Sequence, residues 1–176
     1  YLVFYSKEEN RTLYNVLHLI NVFSGNPEII DRLIFKTKSE KYIIIGSSAT
    51  LSQEYRFVDA NRPNDAFKVF HTREHKLEYS IDHFNDKWFI RTNKDEAKNF
   101  KIMTCALDKT SKDNWIDFIK HRPDVLIEGM EIFKEYFVVS ERMNGITEVR
   151  VMPWQGKDHY VKFAEEAHSV GVGINP

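Results

Sequence analysis

The chain has 176 residues, 42% of them hydrophobic, and its 26 acidic and 25 basic side chains nearly cancel. That is enough apolar material for one folded domain, while balanced charge without any Lys/Arg block excludes the electrostatic footprint of a nucleic-acid or anionic-membrane binder. The longest apolar runs, such as Tyr42 to Ile45 and Tyr136 to Val139, are strand-length and far below the ~20 residues of a membrane-spanning helix.

The chain opens abruptly on "YLVFYS", which already reads as a strand and implies that the natural N-terminus lies upstream. "LVFYSKEENRTLYNVL" reads as the second and third strands of a unit, although "HLINVFSGNPEII" after it fits poorly, so residues 1–30 are expected to form an incomplete blade. Residues 31–73 then offer a short strand and charged turn in "LIFKTKSEKY", a strand pair in "KYIIIGSSATLSQEYRFVDA" and a last strand in "NRPNDAFKVF". Residues 74–122 repeat the order with "LEYSIDHFNDKW", "KWFIRTNKDEAKNFKIMTCA" and "DKTSKDNWIDFI". Residues 123–165 repeat it again with "LIEGMEIFKEYF", "EYFVVSERMNGITEVRVMPW" and "QGKDHYVKF". Residues 166–176, with "AHSVGVGINP", read as the first strand of a further unit.

Two markers keep step through the three units. Tyr42, Trp88 and Tyr136 open the strand pairs, 46 and 48 residues apart, and Arg56, Lys101 and Arg150 recur in the second strand of each pair, 45 and 49 apart. In "EVRVMPW" Val149 and Val151 alternate with Arg150, the period of a half-buried strand. "SKDNWIDFIKHR" is the best helical stretch, but it falls where the other units place their last strand and is therefore assigned a strand or an irregular turn. Four short antiparallel strands repeated every 40 to 50 residues are the signature of a β-propeller. The predicted fold is all-β, a propeller fragment of three four-stranded blades with partial blades at both ends. Since ~4 to 8 blades are needed to close a ring, open blade edges invite self-association.

A hydrolase serine nucleophile sits in a G-x-S-x-G elbow, and neither "IGSSATLS" around Ser47 and Ser48 nor "AHSVGVG" around Ser169 supplies one. Ser80, Asp82 and His83 in "YSIDHF" hold the residue types of a triad, but adjacent strand residues point to opposite faces, which separates the Asp from the His. His71 and His75 lack a third ligand in register and read as a solvent-facing pair. No catalytic residue, no metal ligand and no cofactor-binding pattern is assigned. The glycines of "SVGVGINP" lack the lysine and helix of a phosphate loop and suit strands crowding a propeller axis. "NRT" at Asn10 is a glycosylation sequon of low specificity. Cys105, the single cysteine, excludes an internal disulfide and reads as a buried structural thiol.

The blade motifs carry a family resemblance. "KTKSEKYIIIGSSATLSQEYRFVDANRPNDAFKVF", "LEYSIDHFNDKWFIRTNKDEAKNFKIM" and "DVLIEGMEIFKEYFVVSERMNGITEVRVMPW" resemble consecutive propeller blades of the prolyl oligopeptidase family of serine peptidases, in particular its oligopeptidase B (protease II) branch. The resemblance runs from Lys36 to Pro176 and is loose over residues 1–35. It implies a propeller that caps an α/β-hydrolase domain carrying a Ser-Asp-His triad outside this chain. It also implies short peptide substrates, cut after Arg or Lys, and a hydrolase domain as the propeller's partner. Arg91, Arg142 and Glu141 are read as following directly on second strands, on a rim able to face that domain or a peptide, with surface salt bridges as the other reading. The alternative from a different class is an independent propeller scaffold that binds a protein or peptide partner.

Overall fold

The computed structural model describes residues 31–165 and 168–173. The partial blade expected over residues 1–30 and the sequon at Asn10 lie outside the described residues. Among the described residues there are twelve strands and one short 3-10 turn, Lys112–Asn114. The strands are β1 Asp31–Lys36, β2 Tyr42–Ala49, β3 Ser52–Asp59, β4 Lys68–His71, β5 Tyr79–Phe84, β6 Lys87–Thr92, β7 Lys101–Ala106, β8 Ile116–Ile119, β9 Leu126–Ile132, β10 Tyr136–Met143, β11 Ile146–Pro153 and β12 His159–Tyr160. They form three four-stranded antiparallel sheets, each a simple meander in chain order. The four-strand repeat is therefore observed, and "SKDNWIDFIKHR" supplies β8 after a single 3-10 turn.

Tight turns set the hairpins. β10 and β11 are joined by Asn144 and Gly145, with φ of 52° and 83°, the Asn-Gly pair that a two-residue hairpin turn demands. β2 and β3 likewise pair up to Ala49↔Ser52 across two residues. The hairpin between β6 and β7 is longer, spanning 93–100, and holds positive φ at Asp95, Glu96 and Phe100. The register between third and fourth strands shifts at Tyr55/Arg56 in the first sheet and at Ile102/Met103 in the second. In the third sheet the shift lies between first and second strands, at Ser140/Glu141.

The chain divides into two compact units, one ending at Lys76 and one starting at Leu77. In the first unit Ile44, Phe57 and Phe70 share one face of the sheet, with Phe57 edge-on to Tyr42 at 5.6 Å and to Phe70 at 6.2 Å. Gly46 lies opposite Tyr55, and a Cβ there would come within 2.7 Å of the Tyr55 ring. The glycine of "IGSS" is thus the floor on which an aromatic ring lies.

In the second unit two blades pack face to face. Phe89, Ile102 and Ile119 of the second blade meet Ile127, Ile132, Phe137 and Val139 of the third. Phe84, Phe89, Phe118, Phe137 and Trp154 extend this seam as an aromatic cluster, with the Phe84 and Trp154 rings stacked at 5.8 Å. Strand parity shows that the marker aromatics are not equivalent. Phe89 faces the third blade, so Trp88, its neighbour on the strand, faces away from it, fully buried beside His83. In the third blade Phe137 faces the seam, while Tyr136 points the other way and is 40% exposed. In burial Trp88 is therefore matched by Phe137, not by Tyr136.

The outer face of the third blade is open. Tyr136, Val138, Val149 and Val151, with Val170 and Val172, line a recess of about 610 Å³. Residues 168–173 take no strand pairing. A Cβ at Gly171 or Gly173 would meet nothing within 4 Å, so the crowding expected around these glycines is not what the structure shows.

Candidate functional site

The charged and polar residues singled out by the sequence fall in separate places: Ser47 lies in the first unit, and Ser80, Asp82, His83, Arg91, Glu141 and Arg142 lie in the second. Ser47 is buried in β2, and its hydroxyl sits in a guanidinium cradle. Arg73 Nη2 donates to Ser47 Oγ at 2.7 Å and to Ser47 O at 2.8 Å, while Nη1 donates to Ser52 O at 2.9 Å. The Arg73 backbone N–H donates to Glu54 Oε2 at 3.2 Å, and Glu54 Oε1 also accepts from Arg56 Nε at 3.1 Å. Ser47 Oγ directs its own proton to the Glu54 backbone carbonyl at 3.4 Å and not to a general base, so the group that would activate it for attack is not the one it meets, and this serine ties a turn together.

The Ser80, Asp82 and His83 set is split by the pleat. His83 is fully buried against Trp88, its ring 5.0 Å away, whereas Ser80 and Asp82 share the other, half-exposed face of β5. Asp82 Oδ1 accepts from the His83 backbone N–H at 2.7 Å. His71 is not solvent-facing as expected: it lies in β4, half-buried, with Nε2 3.6 Å from Glu74 Oε2. His75 is exposed. Among the described residues no three His, Cys, Asp or Glu side chains group to hold a metal. Burial pushes the Cys105 thiol up to about 12, which leaves it protonated and unreactive near neutral pH.

Arg91, Glu141 and Arg142 lie inside β6 and β10, not beyond them. Arg91 shares the parity of Phe89 and turns into the seam. Its Nε donates to Ile127 O at 2.7 Å, and its guanidinium carbon lies 3.6 Å over the Phe100 ring. Ile127 N–H in turn donates to Asn99 O at 2.9 Å, so both backbone polar groups of this β9 residue are held by the second blade. Asn99 Nδ2 reaches on to Pro123 O at 2.6 Å in the connection between the blades.

Glu141 shares the parity of Phe137 and Val139 and is 0% exposed. Its carboxylate pairs with Arg122, lies 3.5 Å from Arg150 Nη1, and accepts from Tyr160 Oη at 2.6 Å. Arg122 Nη1 also donates to Tyr160 Oη at 3.2 Å, and Arg150 Nε donates to Asp158 Oδ2 at 2.7 Å. Burial, then the bond to Glu141, raises the Tyr160 hydroxyl above its ordinary range. The hydrogen bond from Arg150 holds Asp158 below the usual carboxylate range. Arg142 is the exposed one of the three, with Nε 2.7 Å from Glu128 Oε1 and Nη1 donating to Gly145 O. Asn99, Arg122, Ile127 and Tyr160 were not read from the sequence as members of these clusters. Period-2 parity with Phe89 and with Phe137 was the signal that could have turned Arg91 and Glu141 inward.

Three meander sheets of this kind, two of them stacked face to face, are propeller blades, and the comparisons agree. The chain matches the N-terminal β-propeller domain of prolyl oligopeptidase over residues 4–175 and belongs to that family. It is 37% identical to dipeptidyl aminopeptidase BI of Pseudoxanthomonas mexicana over 99% of this chain and 25% of that protein. It is 26% identical to protease 2 of Moraxella lacunata over 86% of this chain and 21% of that one. Oligopeptidase B from Leishmania major superimposes with a TM-score of 0.74 at 21% identity, covering 81% of this chain and 21% of that structure, a likeness of fold. The chain thus spans about a quarter or less of the length of these relatives.

Proposed function

We propose that this chain is the non-catalytic propeller part of a serine peptidase of the prolyl oligopeptidase family, partnered in its parent protein by an α/β-hydrolase domain. The observation that carries this reading is the match to the family's N-terminal propeller domain across residues 4–175. In this role the blades fence the active site so that short or flexible peptides reach it and folded proteins do not, with motion between domains admitting them. The oligopeptidase B pattern of the blades adds endopeptidase cleavage after Arg or Lys. A second reading of specificity is favoured by the 37% identity to a dipeptidyl aminopeptidase: release of dipeptides from a free N-terminus.

Assays of the full-length parent separate these readings. An N-terminally blocked fluorogenic peptide with Arg before the scissile bond is cleaved under the first and spared under the second, which requires a free amine. A folded protein of ~20 kDa is spared under both, and its rapid hydrolysis would count against the fencing role. Hydrolysis by the 176-residue chain alone would overturn the non-catalytic assignment, and a parent without peptidase activity would favour the scaffold alternative.

A further inference from the structure

We infer that the seam between the second and third blades is a closed latch, built on Ile127, that makes residues 77–160 move as one body. Propeller blades ordinarily meet through side chains, since each blade completes its own backbone ladders. Here a backbone tie crosses the seam: Ile127 N–H donates to Asn99 O, and Ile127 O accepts from Arg91 Nε. The register shift at Ser140/Glu141 makes room for it, because Ile127 pairs with Glu141 and Gly129 with Ser140, leaving Glu128 as the extra residue.

Three further features hold the tie. The Arg91 guanidinium carbon lies 3.6 Å over the ring of Phe100, whose positive φ of 61° belongs to the long 93–100 hairpin. Asn99 is anchored by its own side chain to Pro123 O. Arg122, in the connection between the blades, pairs with the buried Glu141 and with Tyr160 of β12. Toward the opposite strand ends the Phe84, Phe89, Phe118, Phe137 and Trp154 rings fill the same seam. Opening it would expose that apolar cluster to water and break both Ile127 hydrogen bonds and the Arg91–Phe100 contact together. Under the capping role proposed above, motion that admits a peptide is confined to other seams.

Residue-resolved amide hydrogen exchange on the 176-residue chain tests the latch without reference to activity. A closed seam makes the Ile127 amide exchange within about tenfold of the slowest amides of β6 and β10, because it opens only with the whole unit. Exchange faster than that margin means the seam opens by itself and overturns the inference. Arg91→Lys keeps the charge but loses the Nε donor and the guanidinium over the ring. It should speed exchange at Ile127 at least about threefold relative to the β6 and β10 amides, and an unchanged ratio removes Arg91 from the latch. Should that variant fail to fold, Phe100→Leu takes away the ring, leaves the donor, and serves the same readout.

Discussion

Two adjacent residues of β10 carry opposite expectations. Phe137 is fully buried in the seam, within 5.2 Å of both the Phe89 and Phe118 ring centroids. Truncating a buried phenylalanine removes its transfer free energy and leaves a cavity that close packing cannot refill, about 3 to 5 kcal/mol in total. Tyr136 points to the open face and is 40% exposed, so Tyr136→Ala should cost about 1 kcal/mol or less. Urea unfolding followed by tryptophan fluorescence is a suitable assay, because Trp88, Trp115 and Trp154 all lie in the second unit and report on it alone. With a urea slope of about 2 kcal/mol/M, Phe137→Ala should lower the midpoint by roughly 2 M and Tyr136→Ala by no more than about 0.5 M. The midpoint is the readout, since Trp154 lies 6.1 Å from Phe137 and its signal amplitude will change in any case. Equal shifts for the two variants would refute the assignment of faces.

Glu141→Ala strands Arg122 and Arg150 beside a buried site and should destabilise the second unit by about 3 kcal/mol, whereas Glu141→Gln, which keeps an acceptor for Tyr160, should cost clearly less; equal midpoints in urea would deny the carboxylate a structural role. Gly46→Ala drives a methyl into the Tyr55 ring and should destabilise the first blade by about 1 to 3 kcal/mol, read as a lower melting temperature by circular dichroism; an unchanged melt would show that the ring shifts freely. Cys105 should resist an aromatic disulfide reagent at pH 8 in the native chain and react once urea is added, with fast native labelling as the contrary result. Hydrogen bonds from Lys101 and Lys94 hold the Asp95 carboxyl below the usual carboxylate range. A depressed folded pKa gives stability that is present above the unfolded pKa and lost as pH falls through the folded value, so Asp95→Asn should flatten the decline in stability below about pH 5. Parallel wild-type and variant curves across that range would contradict the sign.

The four-strand meander was legible because period-2 alternation and turn residues are local signals, and the blades need nothing else to form their ladders. The division of the Ser80, Asp82 and His83 set followed from the same alternation, while the reading of Ser47 rested on the missing G-x-S-x-G elbow and that of Cys105 on its apolar neighbours. What local pattern did not reveal was phase. "EYFVV" offers an aromatic to each face, and aligning Trp88 with Tyr136 is one residue away from aligning it with Phe137. A one-residue slip turns every side chain to the other face. Arg91 and Glu141 looked like surface residues because charge near a strand end usually is solvated. The inward turn of half-buried Arg91 and the burial of Glu141 depend on partners from elsewhere: the long 93–100 hairpin supplies Asn99 and Phe100, and the connection between blades supplies Arg122. Arg142, whose partner Glu128 sits on the neighbouring strand, is the one of the three that kept its surface reading.

The local closure of each sheet also shapes the order in which the chain acquires structure as it leaves the ribosome. The second blade has all its ladder residues once Ile119 has emerged, yet the face formed by Phe89, Ile102 and Ile119 stays wet until Phe137 and Val139 follow. At ~5 to 20 residues per second that interval lasts about one to four seconds. During it the nascent chain carries a finished sheet with an uncovered apolar side, the state most open to chaperone capture or to association with a neighbouring polysome product. A ribosome stalled between these points would therefore release a stickier species than one stalled before the blade began or after its cover arrived.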